Sequence, residues 1–189
     1  MIIADCTNEK DIVNVLTRSV YTQNDFLKLS VHQSTDGQIV CGDGTLEEKL
    51  NQISQSLTAC VNVKSVTIVI QIDSFGLCER VVGILNKYLD REESKLITRH
   101  DIYLCSSIHP ELLKVSKHFQ TVYMYACIPI SMIKDIKANG IKRVVLTRSI
   151  HNDYLILQLL EMGVTVWMSD VTNDGERFTL MESGVSGFI

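Results

Sequence analysis

Short apolar runs alternate with longer helical stretches along this whole chain, and that alternation constrains the fold more than any other feature. Strand-like runs centre near residues 3, 29, 69, 103, 123, 145, 166 and 188, and each of the first seven is followed by a stretch with helical spacing. Val66–Ile72 reads Val-Thr-Ile-Val-Ile-Gln-Ile, a β-branched run suited to a buried strand. Thr45–Ala59 places Leu46, Leu50, Ile53 and Leu57 on one helix face, and Thr45 with Glu48 has the spacing of a capping box. Phe26–His32 alternates Phe26, Lys28, Ser30 and His32 against Leu27, Leu29 and Val31, and the Asp36-Gly37 turn sends the chain back through Gln38–Cys41. Eight β-then-α steps predict an α/β fold, a compact (β/α)8 TIM barrel, with 1–189 as one domain. An open doubly wound sheet would need fewer strands. Barrels of this kind usually take about 250 residues. The 189 residues here predict sparse loops, and the final strand, Ser186–Ile189, is expected to lack a covering helix.

Charge and composition narrow the function classes. The chain carries 18 basic and 22 acidic residues, a net charge of −4, with no clustered basic surplus in the sequence of the kind nucleic-acid binding uses. No apolar run approaches the ~20 residues of a membrane helix, so no membrane span is expected. The six cysteines, Cys6, Cys41, Cys60, Cys78, Cys105 and Cys127, have no close pair of zinc-site spacing. Cys41, Cys105 and Cys127 lie in or beside apolar runs, as reduced core thiols do. The expectation is an intracellular, cytoplasmic protein with no cofactor.

One region carries a resemblance. Lys28-Leu29-Ser30-Val31, then Thr35-Asp36-Gly37, an apolar return, and Asp43-Gly44-Thr45-Leu46 resemble the signature of the glycerophosphodiester phosphodiesterase family. That family, of PLC-like phosphodiesterase barrels, has Glu-x-Asp-Val, Thr-x-Asp-Gly and His-Asp-x-Thr-Leu in this order. Ile68–Asp73 resembles its strand ending Glu-Ile-Lys, and Ser106-Ser107-Ile108-His109-Pro110-Glu111 its Ser-Ser-Phe-Asp-Pro-Glu. Gly163–Asp170 resembles the segment that holds its Trp, and Gly184–Ile189 its Gly-Val-Asp-Gly-Ile-Ile. The resemblance implies a barrel that cleaves phosphodiesters with a carboxylate-held divalent ion and two acid–base histidines.

The departures fall on the residues that would do this. The resemblance places Asp5 and Cys6 where the family has its first His and Arg. Lys28 and Ser30 replace the metal-binding Glu and Asp, and Gly42 the second His. Gln71 replaces the third carboxylate, and Asp73 the Lys that follows it. A hard divalent ion wants several anionic oxygens, and Lys28 is a cation in their place. A glycine transfers no proton. The expectation is a degenerate member, a pseudoenzyme with no intact catalytic residue, acting as a binding or scaffolding module. Asp43, Trp167 and His32 are expected to line what pocket remains, although a helix-capping role with Thr45 suits Asp43 better than a ligand role and core packing suits Trp167 equally well.

Two alternatives follow. One is a phosphodiesterase with a relocated or residual site for Mg or Ca, using Asp43, His32 and Asp5. The other is a structural subunit of a larger assembly, since a bare final strand would expose apolar surface to a second copy or a protein partner.

Overall fold

The computed structural model describes residues 3–22, 26–59, 66–91 and 96–189. The strands are β1 (Ile3–Asp5), β2 (Phe26–Gln33), β3 (Ile39–Cys41), β4 (Gly44–Thr45), β5 (Thr67–Ile72), β6 (Ile102–Ser106), β7 (Gln120–Tyr125), β8 (Arg143–Thr147), β9 (Thr165–Ser169) and β10 (Gly187–Phe188). The helices are α1 (Glu9–Thr22), α2 (Leu46–Ala59), α3 (Leu77–Leu89), α4 (His109–Val115), α5 (Met132–Asn139), α6 (Asp153–Glu161) and α7 (Asp174–Glu182). β1, β2 and β5 through β10 run parallel in sequence order, each paired with its neighbour in that series. A helix follows every one of them up to β9, which is the predicted (β/α)8 order. β3 and β4 form an antiparallel hairpin on the far end of β2, pairing Val31 with Cys41.

Strand alternation sorts the apolar residues into two layers. Leu27, Leu29 and Val31 of β2, with Ile68, Ile70 and Ile72 of β5, are buried in the layer that packs on the helices. From α2 that layer receives the predicted stripe of Leu46, Leu50, Ile53 and Leu57. Burying each such side chain is worth about 1.5–3 kcal/mol. The opposite faces of the strands form a smaller interior cluster of Val69, Cys105, Val122, Val145 and Trp167, closed by Phe26, Tyr103, Met124 and Ile189. These are the residues that fill a barrel rather than leave a pore.

Helix starts are secured locally. Asn8 accepts from Asp11 N–H (3.1 Å) while the Asp11 carboxylate accepts from the N–H groups of Thr7 and Asn8 (3.2 and 3.3 Å). The Thr45–Glu48 capping box forms as expected: Thr45 N–H donates to Glu48 Oε2 (2.7 Å), and Glu48 N–H to Thr45 Oγ1 (3.2 Å). Asn152 and Asn173 cap α6 and α7.

Two expectations need correction. Phe188 on the last strand is only 3% exposed, and the Arg177 guanidinium of α7 lies 5.9 Å from its ring centroid. The apolar face expected to be bare is therefore covered within the chain. Cys127, expected as a core thiol, is exposed in the β7–α5 loop, because the strand ends before it. Cys60 lies outside the described residues. Among the described residues no helix is long and apolar enough to cross a membrane.

Candidate functional site at the barrel mouth

Parallel strands put all their C-terminal ends on one face, and the loops there form the mouth. Register brings the positions singled out in the sequence together at that end. Lys28 lies between Asp5 and Val69, and Ser30 lies beside Gln71, which lies beside Cys105. Phe26, Val69 and Cys105 belong to the interior cluster, so Lys28, Ser30 and Gln71 share that inward face by strand alternation. The side chain of Asp5 lies outside the described residues.

Gln71 Nε2 donates to Asp73 Oδ2 at 2.7 Å. Gln71 Oε1 is buried and has no hydrogen-bond partner among the described residues. Burial pushes the Cys105 thiol up, the Lys28 charge opposes that shift and the Asp73 charge adds to it. A thiol held protonated in this way is a core group, not a nucleophile. Cys6 is buried too, and its N–H donates to the Lys28 carbonyl at 2.9 Å.

Gly42 leaves no room for a side chain. Its φ is +60°, and a Cβ added there would lie 2.2 Å from the carbonyl oxygen of Thr7. Backbone of the β1–α1 loop thus occupies the space that any side chain at this position would need. That loop is fixed by its own hydrogen bonds, from Thr7 and Asn8 to Asp11.

Asp43 has found a different partner from either of the two expected. Its carboxylate is ion-paired and hydrogen-bonded to Lys49 Nζ. The Lys49 side chain is 1% exposed and also donates to Gln52 Oε1 at 3.3 Å, whereas Asp43 is 68% exposed. The hydrogen bond from Lys49 holds the Asp43 carboxyl below its usual range. Asp43 neither caps α2 nor stands free as a ligand, because the cap belongs to Thr45. Lys49 is the functional partner that sequence reading missed. The available signal was a lysine on the apolar stripe, three residues after Leu46 and four before Ile53.

Trp167 does not line the mouth. It is 3% exposed, with Phe26 edge-on at 5.3 Å and Tyr103 tilted at 5.8 Å between ring centroids. Both partners sit at the N-terminal ends of their strands, so the indole plugs the closed end of the barrel. His32 is exposed on the part of β2 that carries the hairpin, opposite Val40. The Pro-Glu motif also proves structural. Glu111 is buried, accepts from Gly76 N–H at 2.9 Å and pairs with Lys114, which lowers its carboxyl pKa. His109 packs edge-on against Tyr123 and Tyr125, its Nε2 2.8 Å from the Met124 carbonyl.

The described mouth side chains do not fit the divalent ion that the resemblance implies. Among the described side chains the inward groups are an ammonium, a hydroxyl and an amide, and the nearby carboxylates of Asp43 and Asp73 are already engaged by Lys49 and Gln71. Among the described residues no group of three His, Cys, Asp or Glu side chains could hold a metal ion.

No protein-family profile matches the sequence, and no curated protein matches it. Solved structures do. A phosphodiesterase of Oleispira antarctica, in complex with its product sn-glycerol-3-phosphate, matches with a TM-score of 0.76 at 12% identity, over 100% of this chain and 92% of that one. The glycerophosphodiester phosphodiesterase of Thermotoga maritima matches at 0.64 and 14% identity, over 100% and 93%. A calcium-dependent phosphoinositol-specific phospholipase C from Pseudomonas sp. matches at 0.65 and 11%, over 99% and 87%. With eight parallel strands, intervening helices and these neighbours, the chain has the fold of the glycerophosphodiester phosphodiesterases and PLC-like phosphodiesterases.

Proposed function

We propose that this chain is a catalytically inactive barrel of the glycerophosphodiester phosphodiesterase fold, serving as a binding or scaffolding module. The observation that carries the reading is the Thr7 carbonyl, which fills the space of a side chain at position 42. Loss of a histidine by point substitution could be reversed in place. Here the backbone has closed over the position, so the acid–base group cannot be restored without moving the β1–α1 loop.

The electrostatics agree. Hydrolysis of a phosphodiester needs positive charge on the non-bridging oxygens as the transition state forms. Asp73 stands where the resemblance puts a cation and repels such an anion. Lys28 is a cation, but it occupies a place that would hold the metal, so it supplies no activated water. A relocated mechanism through Asp43 would have to break its pair with Lys49, a side chain otherwise buried.

The test is hydrolysis of glycerophosphocholine and of a chromogenic phosphodiester with Mg2+, Ca2+ or Mn2+. The expected result is no release of product above the buffer rate with any of the three. Metal-dependent turnover abolished by Asp43→Ala would overturn the reading.

A further inference from the structure

The opposite end of the barrel carries a feature that the mouth does not explain. The loops entering β6, β7 and β8 form an open pocket of about 560 Å3 at the N-terminal face. Arg99, Lys117, Lys142 and Arg143 line it, with His100 and His118, and no carboxylate side chain is among its described lining residues. The chain as a whole has a net charge of −4, so this is a local reversal of sign. A second cavity of about 440 Å3, beside α3, makes a useful contrast: it sets Glu47 among Arg80 and Lys87 and so compensates itself.

The cations are held in place rather than loosely displayed. Arg99 donates to the His118 carbonyl (3.2 Å) and to Asn86 Oδ1 (3.0 Å), and its guanidinium lies 4.8 Å from the centroid of the Phe119 ring. Arg143 lies 4.8 Å from the Tyr103 centroid. Gln120 Nε2 donates to the His100 carbonyl at 2.9 Å and ties the two walls together. Stacked guanidinium groups keep spare N–H donors in a fixed plane and lose little freedom on binding. The exposed Lys117 and Lys142 add mobile charge at the rim. The volume is that of a small-ligand pocket.

We propose that this cavity is an anion site for a compact, multiply charged phosphate group, carried either by a soluble phosphate compound or by a lipid headgroup. Arg99 and Arg143 fix the oxygens, and Lys117 and Lys142 neutralise the remaining charge. Carboxylates, with a single charge and two oxygens, leave most of these donors unused. The site is independent of the mouth, and the proposal holds whether or not the mouth is catalytic.

The experiment is equilibrium binding of inorganic tripolyphosphate to the full chain, beside sedimentation with phosphatidylcholine vesicles with and without phosphatidic acid. Saturable tripolyphosphate binding is expected, weakened at least about tenfold in the Lys117→Ala/Lys142→Ala double variant and kept in Lys28→Ala. Vesicle binding that requires phosphatidic acid and is lost in the same double variant identifies the lipid as the source. Both lysines are exposed, so the variant keeps its core. If they only complement the carbonyl ends of α4 and α5, the double variant lowers the melting temperature while neither probe binds the wild type. That result overturns the proposal, as does binding that is unchanged in the double variant or lost in Lys28→Ala.

Discussion

Toward the N-terminal ends of the strands the barrel interior is apolar and aromatic: Trp167 meets Phe26 edge to face and Tyr103 at a tilt, in one cluster with Val69, Val122 and Val145. Toward the C-terminal ends, on the same strands and two or four residues further along, stand Lys28, Ser30, Gln71 and Asp73. The first region makes the fold and the second rests on it. A barrel plugged at its closed end has little need of its mouth for stability. The mouth can therefore carry a lysine, a serine and an amide without disturbing the alternation of strands and helices. At Gly42 the fold itself reaches the mouth, because the Thr7 carbonyl fills the space a side chain would need.

Substitutions can break this contrast or sharpen it. The largest effect belongs to the plug: Trp167→Ala should destabilise the chain by about 3–5 kcal/mol, read from the urea midpoint. An effect under about 1 kcal/mol would mean that the plug does not carry the barrel. Gly42→Ala should cost about 1–3 kcal/mol in the same assay, from overpacking against Thr7 and a left-handed backbone. A neutral result would show that the loop yields and that the position is open.

Asp43→Asn separates structure from chemistry through pH. Its folded pKa lies below the ordinary value near 3.8, so the stability from the Lys49 pair is present above that value and is lost as the pH falls through the lowered folded pKa. The wild-type advantage over Asp43→Asn should therefore be full at neutral pH and disappear under acid, measured as urea midpoints across that range. An advantage that persists at the acid end would contradict the ion pair. Ser30→Ala, on an exposed mouth residue, should shift stability by no more than about 0.5 kcal/mol. A larger loss would make the mouth part of the fold after all.

Much of the fold was legible because strand and helix periods are local properties. Leu77–Leu89 and Arg143–Thr147 fall where the spacing put them, and the capping box at Thr45 forms as its sequence implies. The mouth positions were legible too, since register from strand to strand follows once the strands are placed. What could not be read was pairing across loops. The Thr7 carbonyl reaches position 42, 35 positions further along the chain, through tertiary packing, with no sequence mark at either end. Lys49 lies on the apolar stripe of α2, yet its ion pair with Asp43 depends on how the β4–α2 region packs and has no mark in the helix spacing. Trp167 illustrates a different limit. Its strand position was clear, but the choice between mouth and plug depended on Phe26 and Tyr103, whose rings take it toward the closed end.

On the proposed reading the mouth does not hold a divalent ion. Calorimetric titration of the full chain with calcium chloride tests it most directly. A flat titration is expected for the wild type, since the described inward side chains, Lys28, Ser30 and Gln71, offer no anionic oxygen. Saturable one-to-one calcium binding that disappears in Asp43→Ala would contradict it.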